Sequence, residues 1–171
     1  VPDLYVDLAK TLSDKNAATE FSEFQPFIAI RDGRVVGRVV AIINRKANEV
    51  WNVKAVRFGW VDFIDDLEVS QRLIDAVTAW GKERGMTEIQ GPLGFTDMDP
   101  EGLLIEGFDQ LGTMATAYHY PYYKKHFETM GFEKDTDWIE VRMDVPKEVP
   151  ERLVKVSEMV MDRYGVGIRK F

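Results

Sequence analysis

No cysteine occurs among the 171 residues, which excludes disulfides, thiol nucleophiles and cysteine-based metal sites and agrees with a reducing, cytoplasmic setting. No apolar run approaches the roughly 20 residues of a membrane-spanning helix, and no stretch has the layout of a signal peptide, so no membrane partner is expected. Histidine is scarce, with His119 and His126 alone, so imidazole chemistry has few candidates. There is no Gly-x-Ser-x-Gly elbow, no Walker-type loop and no His-Glu-x-x-His pair. Positive charge is short as well. The net charge is -7, and Lys and Arg are scattered, nowhere denser than adjacent pairs such as Lys124-Lys125 and Arg169-Lys170. A nucleic-acid surface needs such residues clustered, so no nucleic-acid partner is expected.

What remains is ample for a core: 45% of residues are hydrophobic, and the length suits an ordinary domain. Val1, Leu4, Tyr5, Leu8 and Leu12 form a helical stripe. Residues 27–31 and 34–44 read as strands flanking Asp32-Gly33, a two-residue hairpin turn, and Gly37 marks a bulge or a close backbone approach. Residues 44–54 are polar and read as a loop. A strand over 56–63, a helix over 67–84 and a strand over 87–90 follow. In that helix Val69, Leu73, Val77 and Trp80 mark the buried face, and Gly85 caps its end. Residues 92–120 have little periodicity, and a loop of that length in a compact domain is more often functional than idle.

Pro121 opens a short helix lined by Tyr123, Phe127 and Met130 and stopped by Gly131. Residues 132–134 and 138–145 read as closing strands. Pro150 then starts a helix bearing Leu153, Val156, Val160 and Tyr164, which Gly165 ends. Residues 166–171 look like the start of another strand. The opening Val1 and this broken-off strand lead us to expect further chain in the parent protein, with residues 146–171 a linker helix and the beginning of a second domain.

The junction at residues 63–68 is the most telling local feature. A strand running into a helix N-terminus aims free N–H groups and a positive dipole end at one point, a natural anion site. Here the turn is Asp65-Asp66-Leu67-Glu68, without glycine. Asp65 as N-cap with Glu68 three residues on is the pattern of a capping box, which stabilises a helix start by about 0.5–2 kcal/mol. A phosphate placed there meets repulsion on the order of 1 kcal/mol per exposed charge at about 4 Å in water.

The order helix, hairpin, long strand, helix, strand, short helix ending Met130-Gly131-Phe132 resembles the GNAT superfamily of N-acyltransferases, over about residues 1–145. The hairpin Ile28 to Val40 resembles its second and third strands, and Tyr123 to Phe132 its last helix. More narrowly, Gly91 to Asp109 and Tyr118 to Tyr123 resemble a bacterial group of two-domain GNAT-like proteins. The resemblance implies an α/β fold with a central, mostly antiparallel, splayed sheet and helices on both faces. It implies acyl-CoA, acetyl-CoA being the simplest, as co-substrate and a small-molecule amine as acceptor, with no metal. The family's pyrophosphate turn aligns on residues 65–70, where acids replace the basic or amide position and the first glycine, and Ser70 the second. The family's usual tyrosine position holds Phe127.

The candidate site residues follow. Tyr122 or Tyr123 would supply the phenol that Phe127 lacks, and Asp62 a carboxylate to deprotonate an amine. Backbone N–H groups at Phe63 and Ile64 would polarise the thioester carbonyl, while Ser70, Gln71 and Arg72 would lie on the donor. Gly91, Phe95, Thr96 and His119 would border the acceptor. The Asp97-Met98-Asp99-Pro100-Glu101-Gly102 run imitates part of a calcium loop, but Phe108 stands where the closing glutamate belongs. Two other expectations compete with acyl-CoA-dependent transfer: a GNAT-like domain retaining the fold for ligand binding or assembly, and a relative of the aminoacyl-tRNA-dependent transferases.

Overall fold

The computed structural model describes residues 5–113 and 116–169, and for Tyr5 the backbone only. Val1 and Leu4 of the expected N-terminal stripe, and Lys170 and Phe171 of the tail, lie outside the described residues. Contacts divide the chain into two units, Val1–Asp135 and Thr136–Phe171.

In the first unit α1 (Tyr5–Thr11) leads through a 3-10 turn, Ala17–Glu20, into β1 (Ser22–Arg31) and β2 (Arg34–Asn44). Asp32 and Gly33 both have positive φ (50° and 74°), the backbone a tight hairpin turn demands. Next come α2 (Arg45–Trp51), β3 (Ala55–Phe63), α3 (Leu67–Glu83), β4 (Glu88–Gln90) and α4 (Tyr122–Thr129). The sheet order is β1-β2-β3-β4; β1 and β2 are antiparallel, as are β2 and β3, whereas β3 and β4 run parallel. A mixed α/β fold with a mostly antiparallel sheet is therefore present, in the element order the GNAT resemblance implies.

α3 is the organising helix. Val69, Leu73, Ile74, Val77 and Trp80 are buried on its inner face, against Val39, Ala41, Ile43, Val56, Phe58, Val61 and Phe63 of the sheet, with Tyr123 and Phe127 of α4 completing that core. Gly85 (φ 79°) ends the helix. Gly37 is a close-approach glycine: a Cβ there would lie 2.8 Å from Leu73 Cδ1. The sheet's other face carries a smaller core of Ala18, Val40, Ile42 and Phe95, with Leu12, Phe21, Phe24 and Trp60 packed on it. The register slips between Arg38 and Val40 against β3, where Trp60 takes a left-handed backbone (φ 45°), a β-bulge.

β4 pairs only with the first residues of β3, Ala55 to Arg57, and Leu93 N–H extends the contact to the Phe58 carbonyl (2.8 Å). The far end of β3 is met instead by α4. That splay creates the site described below.

Three expectations need correction. Residues 45–51 are helix, not loop: the Asn44 side chain accepts the Ala47 N–H, and Asn52 in the left-handed region closes the other end. The N-cap of α3 is Asp66, which accepts the Glu68 N–H, rather than Asp65, so no Asp65–Glu68 capping box forms. Residues 132–134 and 138–145 form no strand. In the latter, Ile139, Val141, Met143 and Val145 alternate as strand residues do, yet all are exposed, and a strand exists only through a partner's hydrogen bonds. The second unit's helix, α5 (Glu151–Tyr164), ends at Gly165 in the left-handed region. Residues 166–169 have no regular structure. Among the described residues no helix is long and apolar enough to cross a membrane.

Candidate active site

Where β3 ends, two adjacent tyrosines of α4 grip its backbone. Tyr122 donates its hydroxyl proton to the Phe63 carbonyl (2.6 Å). Tyr123 donates to Asp62 Oδ1 at 2.5 Å and accepts the Phe63 N–H at 3.0 Å. The grip is tightened by rings: Phe63 stacks on Tyr123 with centroids 4.1 Å apart and on His126 at 5.4 Å. Tyr123 is buried whereas Tyr122 is half-buried. Burial, and then the Asp62 hydrogen bond, push the Tyr123 phenol well above its ordinary value. Tyr122 is raised by burial and by the Asp62 charge. Both are protonated phenols at neutral pH.

Asp62 itself is exposed. One carboxylate oxygen is fixed by Tyr123 and the side chain stands in solvent, an arrangement that orients a carboxylate without enclosing it. Beside them His119 is buried, its ring 5.1 Å from that of Tyr123, and Nδ1 accepts a long hydrogen bond from the Leu104 N–H (3.4 Å). Burial, opposed by the Asp62 charge, pushes His119 down to about 4, so the imidazole is neutral at pH 7. The acceptor role of Nδ1 assigns the ring proton to Nε2.

The helix N-terminus next door is occupied by its own chain. Asp66 accepts from Arg31 Nη1 at 2.6 Å, a contact that holds its carboxyl below the usual range and raises the guanidinium in turn. Glu68 receives Arg31 Nη2 at 3.4 Å and Arg72 at 3.2 Å. Asp65 takes a third route, its Oδ1 lying 3.0 Å from His126 Nε2. His126 Nδ1 lies 2.9 Å from Ser70 Oγ, and that hydroxyl also donates to the Leu67 carbonyl at 3.0 Å. This Asp–His–Ser chain is no nucleophilic triad, because Ser70 is 1% exposed; it fastens α4 to the first turn of α3.

The sequence candidates therefore separate into three places. Asp62, Phe63, Tyr122, Tyr123 and His119 come together at the end of β3. Ser70 is buried under His126, while Gln71 pairs with Asp75 at 2.9 Å and Arg72 with Glu68 on the outside of α3. The N–H groups of Phe63 and Ile64 are both engaged in this structure, by Tyr123 and by the Val36 carbonyl at 3.1 Å. Gly91, Phe95 and Thr96 belong to a third place, a loop tied down over the middle of the sheet. There the Phe95 carbonyl accepts from buried Asn44 Nδ2 at 2.8 Å and from Arg57 at 3.3 Å. The Phe95 ring meets Phe24 and Trp60 at 5.4 and 5.7 Å, and the Thr96 N–H donates to Asp99 at 3.0 Å. Among the described residues no group of acidic or histidine side chains is arranged to hold a metal ion, the residues 97–102 included.

Sequence reasoning passed over Arg31 and His126. For His126 a signal existed: it stands four residues after Tyr122 and so shares its helix face. Arg31 carried none, because its partners are 35 and 37 residues away.

No known family profile matches the chain. It is 34% identical over 137 residues to Protein YghO of Escherichia coli, a match covering 80% of this chain and 35% of that protein. It is 28% identical over 153 residues to the bacterial ceramide synthase of Caulobacter vibrioides, covering 88% of this chain and 40% of that enzyme. The chain thus spans well under half the length of these curated relatives. Among solved structures, the aminoglycoside N-acetyltransferase AAC(6')-Iy in complex with CoA aligns with a TM-score of 0.46 at 19% identity, over 82% of this chain and 91% of that one.

Proposed function

We propose that this chain is the GNAT-like part of an N-acyltransferase that moves an acyl group from acyl-CoA to an amine. The observation that carries the reading is the exposed Asp62 carboxylate held by the buried Tyr123 hydroxyl at 2.5 Å, at the open end of a splayed strand. Similarity to an enzyme named for making ceramide supports it, since a ceramide is an amide and its synthesis an N-acylation.

In this mechanism Asp62 takes a proton from the acceptor ammonium, directly or through water. The free amine attacks the thioester carbonyl, the C–N bond forms, and collapse of the tetrahedral intermediate breaks the C–S bond. Tyr122, half-buried and protonated, turns its hydroxyl from the Phe63 carbonyl to protonate the departing thiolate, and the resulting phenolate takes the second proton lost from the amide nitrogen. Tyr123 acts as a positioning residue, because its own proton is committed to Asp62. His119, neutral and buried, completes the wall behind them. Gln71 and Arg72, on the exposed side of α3, remain for the donor side, whereas Ser70 is buried under His126 and Gly91, Phe95 and Thr96 hold a loop over the middle of the sheet rather than the walls of this site.

The acidic turn and the occupied N–H groups of Phe63 and Ile64 favour a second reading, a GNAT-like domain that binds a ligand without turning it over. The test is calorimetric titration of acetyl-CoA into the full-length parent protein, paired with an assay of CoA release in the presence of amines. The transferase reading expects micromolar binding, CoA release, and an Asp62→Asn variant that keeps binding while its kcat falls at least 100-fold. Binding without release by any amine would favour the second reading. Unchanged turnover by the variant would remove Asp62 from the mechanism.

A further inference from the structure

The open face of the hairpin beside Asp62 has the wrong polarity for a solvent-facing strand. An antiparallel edge strand with one solvated face alternates apolar and polar residues. β1 instead places Phe24, Pro26, Ile28 and, after a register slip, Ile30 along the face opposite α3, while Phe27 and Ala29 pack on the main core. Near the base of the strand this strip is covered, with Phe24 against Phe95 and Val40 and Ile42 buried. Towards the turn it emerges bare: Ile28 and Ile30 are each 61% exposed and Val35, directly opposite Ile30, is 65% exposed. Isolated exposed apolar residues need no explanation, but these three adjoin one another.

The strip also runs into the site. Ile28 pairs with Arg38 in the β1/β2 ladder, and Arg38 pairs with Asp62 in the β2/β3 ladder. Residues directly opposite in a ladder share a face, and neighbouring strands lie about 4.8 Å apart. Ile28 therefore lies about 10 Å from Asp62 along one row, with the aliphatic stem of Arg38 between them.

We infer that the acceptor at this site is an amine with a long hydrocarbon chain, whose ammonium meets Asp62 and whose chain crosses Arg38 to lie on Ile28, Ile30 and Val35. This rests on Asp62 being the base that receives the amine. The row matches such a molecule in order, a carboxylate at one end and apolar surface one strand beyond. A strand-adding partner fits less well, because Pro26 withholds a backbone donor from β1. A two-fold copy seated on the face would bring the Arg34 guanidinium of each chain to the same patch.

The test uses dodecylamine, below its micellar concentration, and butylamine as acceptors for the full-length protein with acetyl-CoA. Expected is a KM for dodecylamine at least tenfold below that for butylamine, with the ratio falling towards one in an Ile28→Ser/Ile30→Ser/Val35→Ser variant. Val50→Ser, an exposed change on α2, should leave the ratio alone. Calorimetric binding of the two amines to the unmodified protein gives the same comparison without catalysis. If neither amine is acylated but dodecylamine binds at least tenfold more tightly, and the triple variant loses that advantage, the surface stands and the transferase reading falls. Equal KM and equal binding for the two amines overturn the inference while leaving transfer intact. So does a triple variant that shifts the protein from dimer to monomer in sedimentation, which would assign the face to a second copy.

Discussion

Asp62 and Asp66 lie four residues apart and meet different fates. Asp66 is doubly engaged, accepting the Glu68 N–H to cap α3 and Arg31 Nη1 in an ion pair at the helix mouth. Asp62 is engaged at one oxygen by a buried phenol and is otherwise open. One carboxylate closes the mouth of the helix, whereas the other is oriented and left open to solvent. The contrast shows that a carboxylate's role depends on what its second oxygen meets. Counting acids in a turn does not reveal that.

The harshest way to break the contrast is to remove the ring between the two clusters. Phe63 is 3% exposed and stacks on both Tyr123 and His126. Phe63→Ala should cost about 3–5 kcal/mol in chemical denaturation, as for large aromatic truncations in a core, and should loosen Asp62 and Asp65 together. A loss near 1 kcal/mol would mean that the clusters are held independently.

Acid comes next. His119 is held at about 4 in the folded state against about 6.5 in the unfolded chain. The folded form therefore excludes a proton that the unfolded form accepts. Its contribution is complete above pH 6.5, declines as the pH falls, and is gone near pH 4, a change on the order of 3 kcal/mol. A His119→Gln variant should show a flatter stability profile across that window than the unmodified protein. Parallel profiles would remove His119 as the source.

Tyr123→Phe is gentler and more specific. It keeps the ring and strands the Phe63 N–H, a loss of about 1–3 kcal/mol for a buried donor without a partner. If Tyr123 positions Asp62, kcat for amine acylation falls while KM for the donor stays. A change confined to stability would limit the tyrosine to the fold.

The smallest effect belongs to the acidic turn. Arg31→Ala leaves Asp66 as an N-cap and removes an exposed pair, and exposed pairs contribute little. Because Asp66 titrates below its ordinary value in the folded state, the pair stabilises above that value and its contribution fades as acid protonates the carboxyl. The difference between Arg31→Ala and the unmodified protein should shrink from pH 6 to pH 3 in thermal melts. A difference that grows in acid would contradict the assignment.

Much of the frame was legible because it is written locally. Asp32-Gly33 gave the hairpin, the spacing of Val69, Leu73, Val77 and Trp80 gave α3, and Gly85, Gly131 and Gly165 all sit in the left-handed region that ends a helix. α2 escaped because its stability lies in two asparagine caps rather than in an apolar stripe. The N-cap was misplaced by one residue because Asp65 has the capping-box spacing to Glu68, whereas Asp66 has Val69 three residues on and caps without a box, held by Arg31 from 35 residues away. The pairing of Tyr123 with Asp62 spans 61 residues, so neither local spacing nor propensity could show it. Residues 138–145 show the reverse failure, a strand pattern without a ladder.

The left-handed Trp60 acts as a parity switch. Before it, Val56 and Phe58 of β3 point into the main core; after it, Val61 and Phe63 do, so the inward set passes from even to odd numbers. In an unbroken strand the inward set would have stayed even, and Asp62 would have been driven in among Phe58 and Phe127. The bulge at Trp60 thus decides whether this carboxylate is a buried liability or an outward-facing tool. Straightening the bulge with every residue kept would turn Asp62 inward, whereas deleting Trp60 would leave Val61 and Phe63 in the core and Asp62 outside, because the shortened strand alternates in that register.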